Sequence, residues 1–329
     1  MRLLAPGRTL SCCLSIVIMA FAASGCGAKG GSKGRLSETN AGPSVNQGGQ
    51  QVGQGGRVIG DVDLRNNPNI GLGRPRGDDA TEILISRDQY VISWSPEHRA
   101  PNWVAWRLAD SDLGAVRRTN SFALDPDLDQ YLAANGGHAV TPQDFQGSCF
   151  DRGHMTPSAD RTASEDHNRR TFLMSNMMPQ TAYLNRGIWE HFEEHERNLV
   201  RGTDQAIYII AGAIFDDHPG HIGPDGDIAV PSKNFKIVLR ANDLTSGQGT
   251  VLAAILMPNS TSAGTDPLTD HEQACADSHH GLSDFKSVSP DPAVTTGAAF
   301  RPENTDWQNY QVSVGEIAQY AGLNFPFAH

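Results

Sequence analysis

The sequence is short of basic charge and of long apolar runs, and each shortage narrows the range of functions. Its 329 residues contain 26 Lys and Arg against 37 Asp and Glu, a formal net charge of −11. After residue 60 the chain carries 20 basic and 36 acidic side chains. This excludes a protein that coats nucleic acid through broad positive charge, but it allows a small local phosphate site. Hydrophobic residues make up 38% and charged residues 19%, which excludes a polytopic membrane protein and favours a soluble globule.

The N-terminus is typical of an export signal rather than of folded structure. Arg2 and Arg8 precede an uncharged apolar stretch that is too short to span a bilayer permanently, so residues 1–26 are predicted to be a signal peptide. Small residues lead to Cys26, as in the lipobox of bacterial lipoproteins. We expect export from the bacterial cytoplasm and a lipidated Cys26 that anchors the chain to the membrane of the cell envelope, with a periplasm-facing or outer-membrane location favoured. The alternative is an ordinary cleaved signal with Cys26 incidental and the protein secreted.

Export would leave two cysteines for the folded protein. Of the five present, Cys12 and Cys13 leave with the signal and Cys26 would be lipidated. Cys149 and Cys275 remain, and an oxidising compartment would allow them to form one disulfide. Two buried free thiols are the alternative.

The rest of the chain divides into a tether and one domain. Residues 27–60 are rich in Gly, Gln and Ser and almost lack apolar side chains, which predicts a flexible tether. Residues 61–329 are expected to form a single domain. Within it, residues 258–306 are polar, interrupted by proline and without periodicity, which predicts a long loop.

Short apolar runs in the domain predict strands, and one periodic segment predicts a helix. Strands are expected at residues 82–85, 89–94, 103–108, 205–215, 235–240 and 251–257. Residues 181–201 are expected to be helical because Leu184, Ile188, Trp189 and Phe192 recur at three- and four-residue steps. The predicted fold class is α+β, with a largely antiparallel central sheet flanked by helices.

Two further segments bring chemically active side chains close together. The first is the succession Asp151, Arg152, Gly153 and His154. The second begins at Ser175-Asn176, passes through Pro179-Gln180, and continues to Asn185, Trp189 and Glu193. On a helix, Asn185 and Glu193 would share a face because they lie about two turns apart. An amide oxygen and a carboxylate on one face suit a hard, hydrated cation such as Mg²⁺.

These segments resemble the DNA/RNA non-specific endonucleases of the ββα-metal (His-Me finger) group. The family pattern is Asp-Arg-Gly-His, then Ser-Asn and Pro-Gln, then an Asn and a Glu on a helix, and all of these occur here in order. The resemblance spans about residues 80–327. It implies a ββα-metal active-site motif and an enzyme that hydrolyses phosphodiester bonds of DNA and RNA to products with 5′-phosphates. The absence of a base-reading motif agrees with contact through backbone phosphates.

The resemblance also implies a metal site. Asn185 would bind Mg²⁺, for which Mn²⁺ could substitute, and Glu193 would hold the water shell of the metal. Asp151 would orient the loop or the metal waters. The metal would neutralise charge on the transition state, and one of its waters could protonate the leaving oxygen.

The remaining implied roles concern the base and the phosphate. His154 would act as general base, since a neutral imidazole can accept a proton from water at neutral pH. Arg152 would stabilise the phosphate, and Asn176 would support the local hydrogen bonding. The family also uses an upstream arginine, for which Arg117 and Arg118 are both candidates.

Two other functions are compatible with parts of the sequence. His191, Glu194 and His195 match the H-x-x-E-H pattern of zinc metalloproteases, in which two histidines bind Zn²⁺ and the glutamate is the base. That reading leaves the Asp-Arg-Gly-His segment unexplained. A catalytically silent binding module is the third possibility. The sequence itself does not indicate an oligomeric state or a preference between DNA and RNA.

Overall fold

The computed structural model describes residues 57–77, 79–279 and 306–327. All of them belong to the unit Gly48–His329. The predicted signal peptide, the predicted lipidation at Cys26 and the tether up to residue 56 lie outside the described residues. Within the described part, none of the helices has the length and apolar character needed to cross a bilayer.

One large sheet organises the described residues. The strands are β1 Arg57–Gly60, β2 Ile83–Ser86, β3 Val91–Ser95, β4 Ala100–Leu108, β5 Asp151–His154, β6 Met177–Gln180, β7 Ile207–Ile214, β8 His221–Ile222, β9 Ile228–Ala229, β10 Lys233–Asp243 and β11 Gln248–Pro258. Seven of them form a sheet in the order β1-β2-β3-β4-β7-β10-β11. Only β1 and β2 pair in parallel, and the other neighbours are antiparallel. The six predicted strands and the largely antiparallel sheet are confirmed.

Five α-helices surround this sheet in the described part of the chain. They are α1 Pro126–Ala134, α2 Glu165–Arg170, α3 Trp189–Asn198, α4 His271–His279 and α5 Val314–Ala321. Three of them begin at side chains that accept hydrogen bonds from first-turn N–H groups: Asp125, Ser164 and Ser313. Such caps satisfy backbone donors that have no acceptor within the helix. These three helices, which are all shorter than three turns, were not predicted from the sequence.

Each face of the large sheet is covered by its own apolar layer. Trp103 and Trp106 on β4 are fully buried on opposite faces, since alternate side chains of a strand point to opposite sides. Trp106 packs in the layer that contains β6 and α3. Trp103 packs in the layer that contains Ile317 of α5 and Phe325. Burial on both faces explains why the sequences of these strands are nearly continuous apolar runs.

The strands β5 and β6 and the helix α3 form a ββα unit on one face of the sheet. β5 and β6 are antiparallel, with Asp151 opposite Gln180 and His154 opposite Met177. The chain then passes through a π-helical turn, Leu184–Ile188, before α3 begins. The described structure thus contains the predicted ββα motif within an α+β fold.

The helical character predicted for residues 181–201 is confirmed over residues 184–198, but a kink interrupts the helix. Gly187 has a non-helical backbone (φ −111°, ψ −113°) inside the π-helical turn, and α3 begins only at Trp189. The apolar period predicted a helix on both sides of this residue but could not register the break, which glycine permits. Asn185 therefore precedes the break and Glu193 follows it, so helical spacing does not relate their directions.

Two predicted segment boundaries also change. The last residues of the predicted tether, Arg57–Gly60, form β1 and pair with β2. The predicted loop 258–306 contains α4. Cys149 and Cys275 form a disulfide with their Cα atoms 4.8 Å apart, which confirms the pairing and attaches α4 to the residue two positions before Asp151.

Candidate active site

The Asp-Arg-Gly-His segment is β5 itself, and its glycine is required by the neighbouring strand. A Cβ atom on Gly153 would lie 2.0 Å from Gln180 Oε1 and 2.5 Å from Gln180 Cδ. Gly153 on β5 and Gln180 on β6 are both buried. Any larger residue at 153 would therefore have to displace the enclosed Gln180 side chain on the strand that pairs with β5.

Asn176 fixes the backbone that follows β5. Its side chain is fully buried. Its Oδ1 accepts from the N–H of Thr156 at 3.0 Å, and its Nδ2 donates to the carbonyls of Thr156 and Thr171 at 2.9 Å each. These bonds use both N–H groups and one acceptor site of the amide, and burial removes it from contact with solvent. Asn176 therefore supports the local hydrogen bonding and does not contact a substrate.

His154 ends β5 in an apolar pocket. Its ring packs edge-on against Phe172 at 4.7 Å and Phe122 at 5.6 Å between centroids, and its carbonyl accepts from Trp189 Nε1 at 3.3 Å. Nε2 is buried without a hydrogen-bond partner in the described residues, which leaves Nδ1 as the ring nitrogen able to meet a water. Burial, and then the charges of two nearby arginines, hold the pKa of His154 well below its ordinary value. The imidazole is therefore neutral at neutral pH.

The first of these arginines is Arg118, one of the two upstream candidates. Its Nη1 donates to Ser158 Oγ at 3.0 Å, and its guanidinium lies 4.8 Å from the ring centroid of Phe172. The charges that act on it are those of Glu193, Arg152 and Asp151. Arg117 and Arg118 are both exposed, but within the described residues no ion pair or hydrogen bond joins Arg117 to these groups. The structure thus places Arg118, and not Arg117, beside His154.

Arg152 is the second arginine and stacks on the other ring of the pocket. Its guanidinium carbon lies 3.9 Å from the ring centroid of Phe122. Asp151, the adjacent carboxylate, forms its salt bridge with Arg186 instead. In the described part of the chain, neither Arg118 nor Arg152 has a carboxylate within salt-bridge distance. Two guanidiniums therefore face the same pocket, and neither is held in a salt bridge although the charges of Asp151 and Glu193 act nearby; this arrangement suits an anionic group.

Asp151 holds the residue that was predicted to bind the metal. Its Oδ2 accepts from Asn185 Nδ2 at 2.8 Å, and its two oxygens accept from Arg186 Nε and Nη2 at 2.7 and 2.6 Å. Because Asn185 uses its nitrogen in this bond, its amide oxygen is turned away from Asp151. That oxygen makes no hydrogen bond within the described residues and is available as a ligand.

Arg186 is the residue of this cluster that sequence reasoning missed. It binds both oxygens of Asp151, and its Nη1 donates to the carbonyl of Ser278 in α4 at 3.3 Å. It thus connects the strand, the π-helical turn and the helix that the disulfide attaches. Its position directly after Asn185 was the available signal, but nothing in the spacing distinguished it from a surface arginine.

Glu193 approaches the site from α3 with a half-buried side chain, 12% exposed. Burial raises the pKa of Glu193 to about 8, against the opposing charges of Lys236 and Arg197. An amide oxygen on Asn185 and a carboxylate on Glu193 are the donor types that Mg²⁺ or Mn²⁺ accepts while retaining waters. The donors present therefore fit a hard divalent cation.

The zinc-protease residues do not form a site. Glu194 forms salt bridges with Arg197 and Arg201, and His195 stacks on Trp307 at 4.5 Å. In the described ranges, neither His191 nor His195 belongs to a group of three side chains close enough to hold a metal ion. The H-x-x-E-H spacing arises from a helix that uses these residues for surface contacts.

Comparisons with known proteins agree with this geometry. The model of a family described as DNA/RNA non-specific endonuclease matches residues 75–327. A nuclease of Nostoc sp. (strain PCC 7120) is 32% identical over 261 residues, which cover 77% of this chain and 78% of that protein. Human mitochondrial endonuclease G is 30% identical over 188 residues, 54% of this chain and 60% of that protein. The nuclease of Serratia marcescens is 27% identical over 209 residues, 62% of this chain and 74% of that protein.

A solved structure shows the same fold. The crystal structure of the EndoG/EndoGI complex contains a chain that superposes with a TM-score of 0.55 at 20% identity, over 82% of this chain and 94% of that one.

Proposed function

The chain belongs to the DNA/RNA non-specific endonuclease family, and we propose that it is an exported, metal-dependent endonuclease that hydrolyses phosphodiester bonds of both DNA and RNA. The environment of His154 is the observation that carries this proposal. A neutral imidazole lies beside two arginines that have no carboxylate partner in the described residues. A phosphate and an attacking water require this combination of a proton acceptor and fixed positive charge.

Three residues of the chain would have distinct roles in the reaction. His154 takes a proton from the attacking water through the ring nitrogen that is not buried. Arg152 and Arg118 stabilise the phosphate oxygens as negative charge grows on them. Cleavage at the bond to the 3′-oxygen leaves a 5′-phosphate on the other product.

Asn185 and Glu193 would hold the divalent cation, Glu193 through water. Asp151 and Arg186 orient Asn185 so that its amide oxygen, not its nitrogen, is presented. When bound, Mg²⁺ or Mn²⁺ would neutralise charge on the phosphate and supply a water that can protonate the leaving oxygen.

Contact through the phosphate backbone supports a lack of sequence preference. Every group proposed to meet the substrate is an arginine, a histidine or a metal-binding residue, and such contacts carry no base information. DNA and RNA share the phosphodiester that these groups would recognise. We therefore include both polymers as substrates.

Export and lipid anchoring are proposed from the N-terminal sequence. The positive n-region, the short apolar stretch and the small residues before Cys26 support a lipoprotein signal. Labelling cells with a radioactive fatty acid should mark the wild-type chain and not Cys26→Ser. Equal labelling of both proteins would refute the lipid anchor.

Activity is tested with the purified chain from residue 27 onward. Plasmid DNA and RNA are incubated with Mg²⁺, with Mn²⁺ or with EDTA, and His154→Ala is compared with His167→Ala, a histidine of α2 outside the site. We expect metal-dependent cleavage of both polymers that His154→Ala loses and His167→Ala keeps. Cleavage by His154→Ala at the wild-type rate would refute the mechanism. A folded wild-type protein that cleaves neither polymer would favour the silent binding module, and casein cleavage with bound zinc would favour the protease.

A further inference from the structure

Lys236 is a buried cation directly beneath the active-site helix. It lies on β10, and its side chain is fully buried. Its ammonium lies 4.5 Å from the ring centroid of Trp189, 5.6 Å from that of Trp106 and 5.8 Å from that of Phe192. Lysine is seldom fully buried unless it is paired, so this position requires an explanation in terms of its carboxylate neighbours.

Two carboxylates of α3 face this ammonium. Glu196 Oε2 lies 2.9 Å from Lys236 Nζ, and both side chains are fully buried. Glu193 Oε1 lies 3.8 Å from the same nitrogen, and its side chain is 12% exposed. Residues three apart on a helix are neighbours on its surface. Lys236 therefore lies between a carboxylate that is enclosed and one that reaches the active site.

The two contacts differ in length, so the two carboxylates have different roles. Glu196 holds Lys236 at hydrogen-bond distance and balances its charge. Glu193 lies farther from the same ammonium, so one of its oxygens is directed toward the sheet while no short ion pair occupies its carboxyl group. The rings of Trp106, Trp189 and Phe192 lie around the ammonium on this side, and charge interactions are stronger where water is excluded.

We propose that Lys236 is a positioning residue for hydrolysis, which fixes the direction of the Glu193 carboxylate and, through it, the binding of the divalent cation. It touches neither substrate nor metal. The inference rests on the proposed function, because it assigns Glu193 to the metal's water shell. The competing explanation is that Lys236 and Glu196 form an ion pair that serves folding alone.

A double-mutant cycle separates these explanations. Removing Lys236 alone would leave Glu196 buried without a cation, which destabilises a fold strongly. The working variant is therefore Lys236→Met/Glu196→Gln, which has similar volume and no unpaired charge. It is made in the wild type and in Glu193→Gln, and Lys233→Met on the same strand is the control, since Lys233 lies against Tyr320 on the other face of the sheet.

The first readout is hydrolysis as a function of Mg²⁺ concentration. In the wild-type background we expect the double substitution to raise the Mg²⁺ needed for half-maximal rate by about tenfold and to lower kcat by about tenfold or more. In Glu193→Gln the same substitution should change either quantity less than about twofold, and Lys233→Met should behave like the wild type. An equal loss in both backgrounds would overturn the proposal.

The second readout needs no turnover. Mg²⁺ should raise the Tm of the wild type and of Lys233→Met, and this rise should shrink in Lys236→Met/Glu196→Gln. An unchanged rise in a folded variant would also overturn the positioning role. If the wild type shows the rise but cleaves no nucleic acid, the proposed function fails while the effect of Lys236 on cation binding remains measured.

Discussion

Replacing Asp151 by Asn tests whether the candidate site depends on the orientation of one amide. Asp151 accepts three side-chain hydrogen bonds, one from Asn185 Nδ2 and two from Arg186, at 2.6–2.8 Å. An asparagine at this position keeps one acceptor oxygen but turns an NH₂ group toward donors. The bidentate pairing with Arg186 is then lost, and the amide of Asn185 can rotate its nitrogen toward the site.

The size of the effect follows from the bonds that are lost. Hydrogen bonds to charged groups contribute about 1.5–3 kcal/mol each. Because the asparagine oxygen replaces part of this, we expect a net loss of about 1.5–3 kcal/mol in the preference for the metal-binding orientation. With about 1.4 kcal/mol per factor of ten, the rate at limiting Mg²⁺ should fall by roughly 10- to 150-fold.

The assay is the initial rate of plasmid cleavage over a range of Mg²⁺ concentrations. Glu165→Gln is the matched control, since it makes the same carboxylate-to-amide change in an exposed pair with Arg169, 67% and 59% exposed. An exposed pair contributes little, so this variant should cleave at the wild-type rate. Wild-type rate and Mg²⁺ dependence in Asp151→Asn would refute the orientation argument.

Four further predictions follow from the site and from the disulfide beside it. Arg118→Gln should lower kcat/KM by roughly 10- to 100-fold on DNA and RNA alike. Arg117→Gln should leave kcat/KM unchanged, since only Arg118 lies beside His154. Equal effects of the two substitutions would contradict this assignment. Replacing both Cys149 and Cys275 by Ser should lower the free energy of unfolding by up to about 5 kcal/mol, because the bridge closes a loop of 126 residues, and denaturant titration measures it. The Mg²⁺ needed for half-maximal rate should fall as pH rises from 6 to 8, because the metal must displace a proton whose pKa on Glu193 is raised to about 8. In EDTA, Glu193→Gln should gain stability over the wild type as pH rises from 4.5 toward 8, because a raised carboxyl pKa favours folding only while the proton is bound.

Much of the large sheet could be predicted because its strands are apolar on both faces. Runs such as residues 207–214 are buried throughout, and residues of this type leave few alternatives to a strand. β5 and β6 could not be predicted in this way. Their residues form hydrogen bonds or allow the two strands to pack closely, as Gly153 does against Gln180. Such residues do not produce a hydrophobic period in the sequence.

The site residues that belong to a sequence motif could be predicted, whereas those that reach the site only through tertiary contacts could not. Asp151, His154, Asn185 and Glu193 were named from their order along the chain. Lys236 comes from a strand more than 40 residues later and is brought under α3 by the register of β10 in the sheet. A pairing of this kind is a property of the folded sheet, so no spacing in the sequence indicates it.

The acidity of the chain and the chemistry of the site are compatible because the positive charge at the site is local and is not held in salt bridges. A net charge of −11 opposes the approach of a polyanion at long range. At His154, however, Arg118 and Arg152 each stack on an aromatic ring and have no carboxylate partner in the described part of the chain. Burial of the imidazole lowers the pKa of His154 most, and the charges of these two arginines lower it further. The same two groups that would bind the phosphate thus add to the effect of burial, which keeps the base neutral and able to accept a proton.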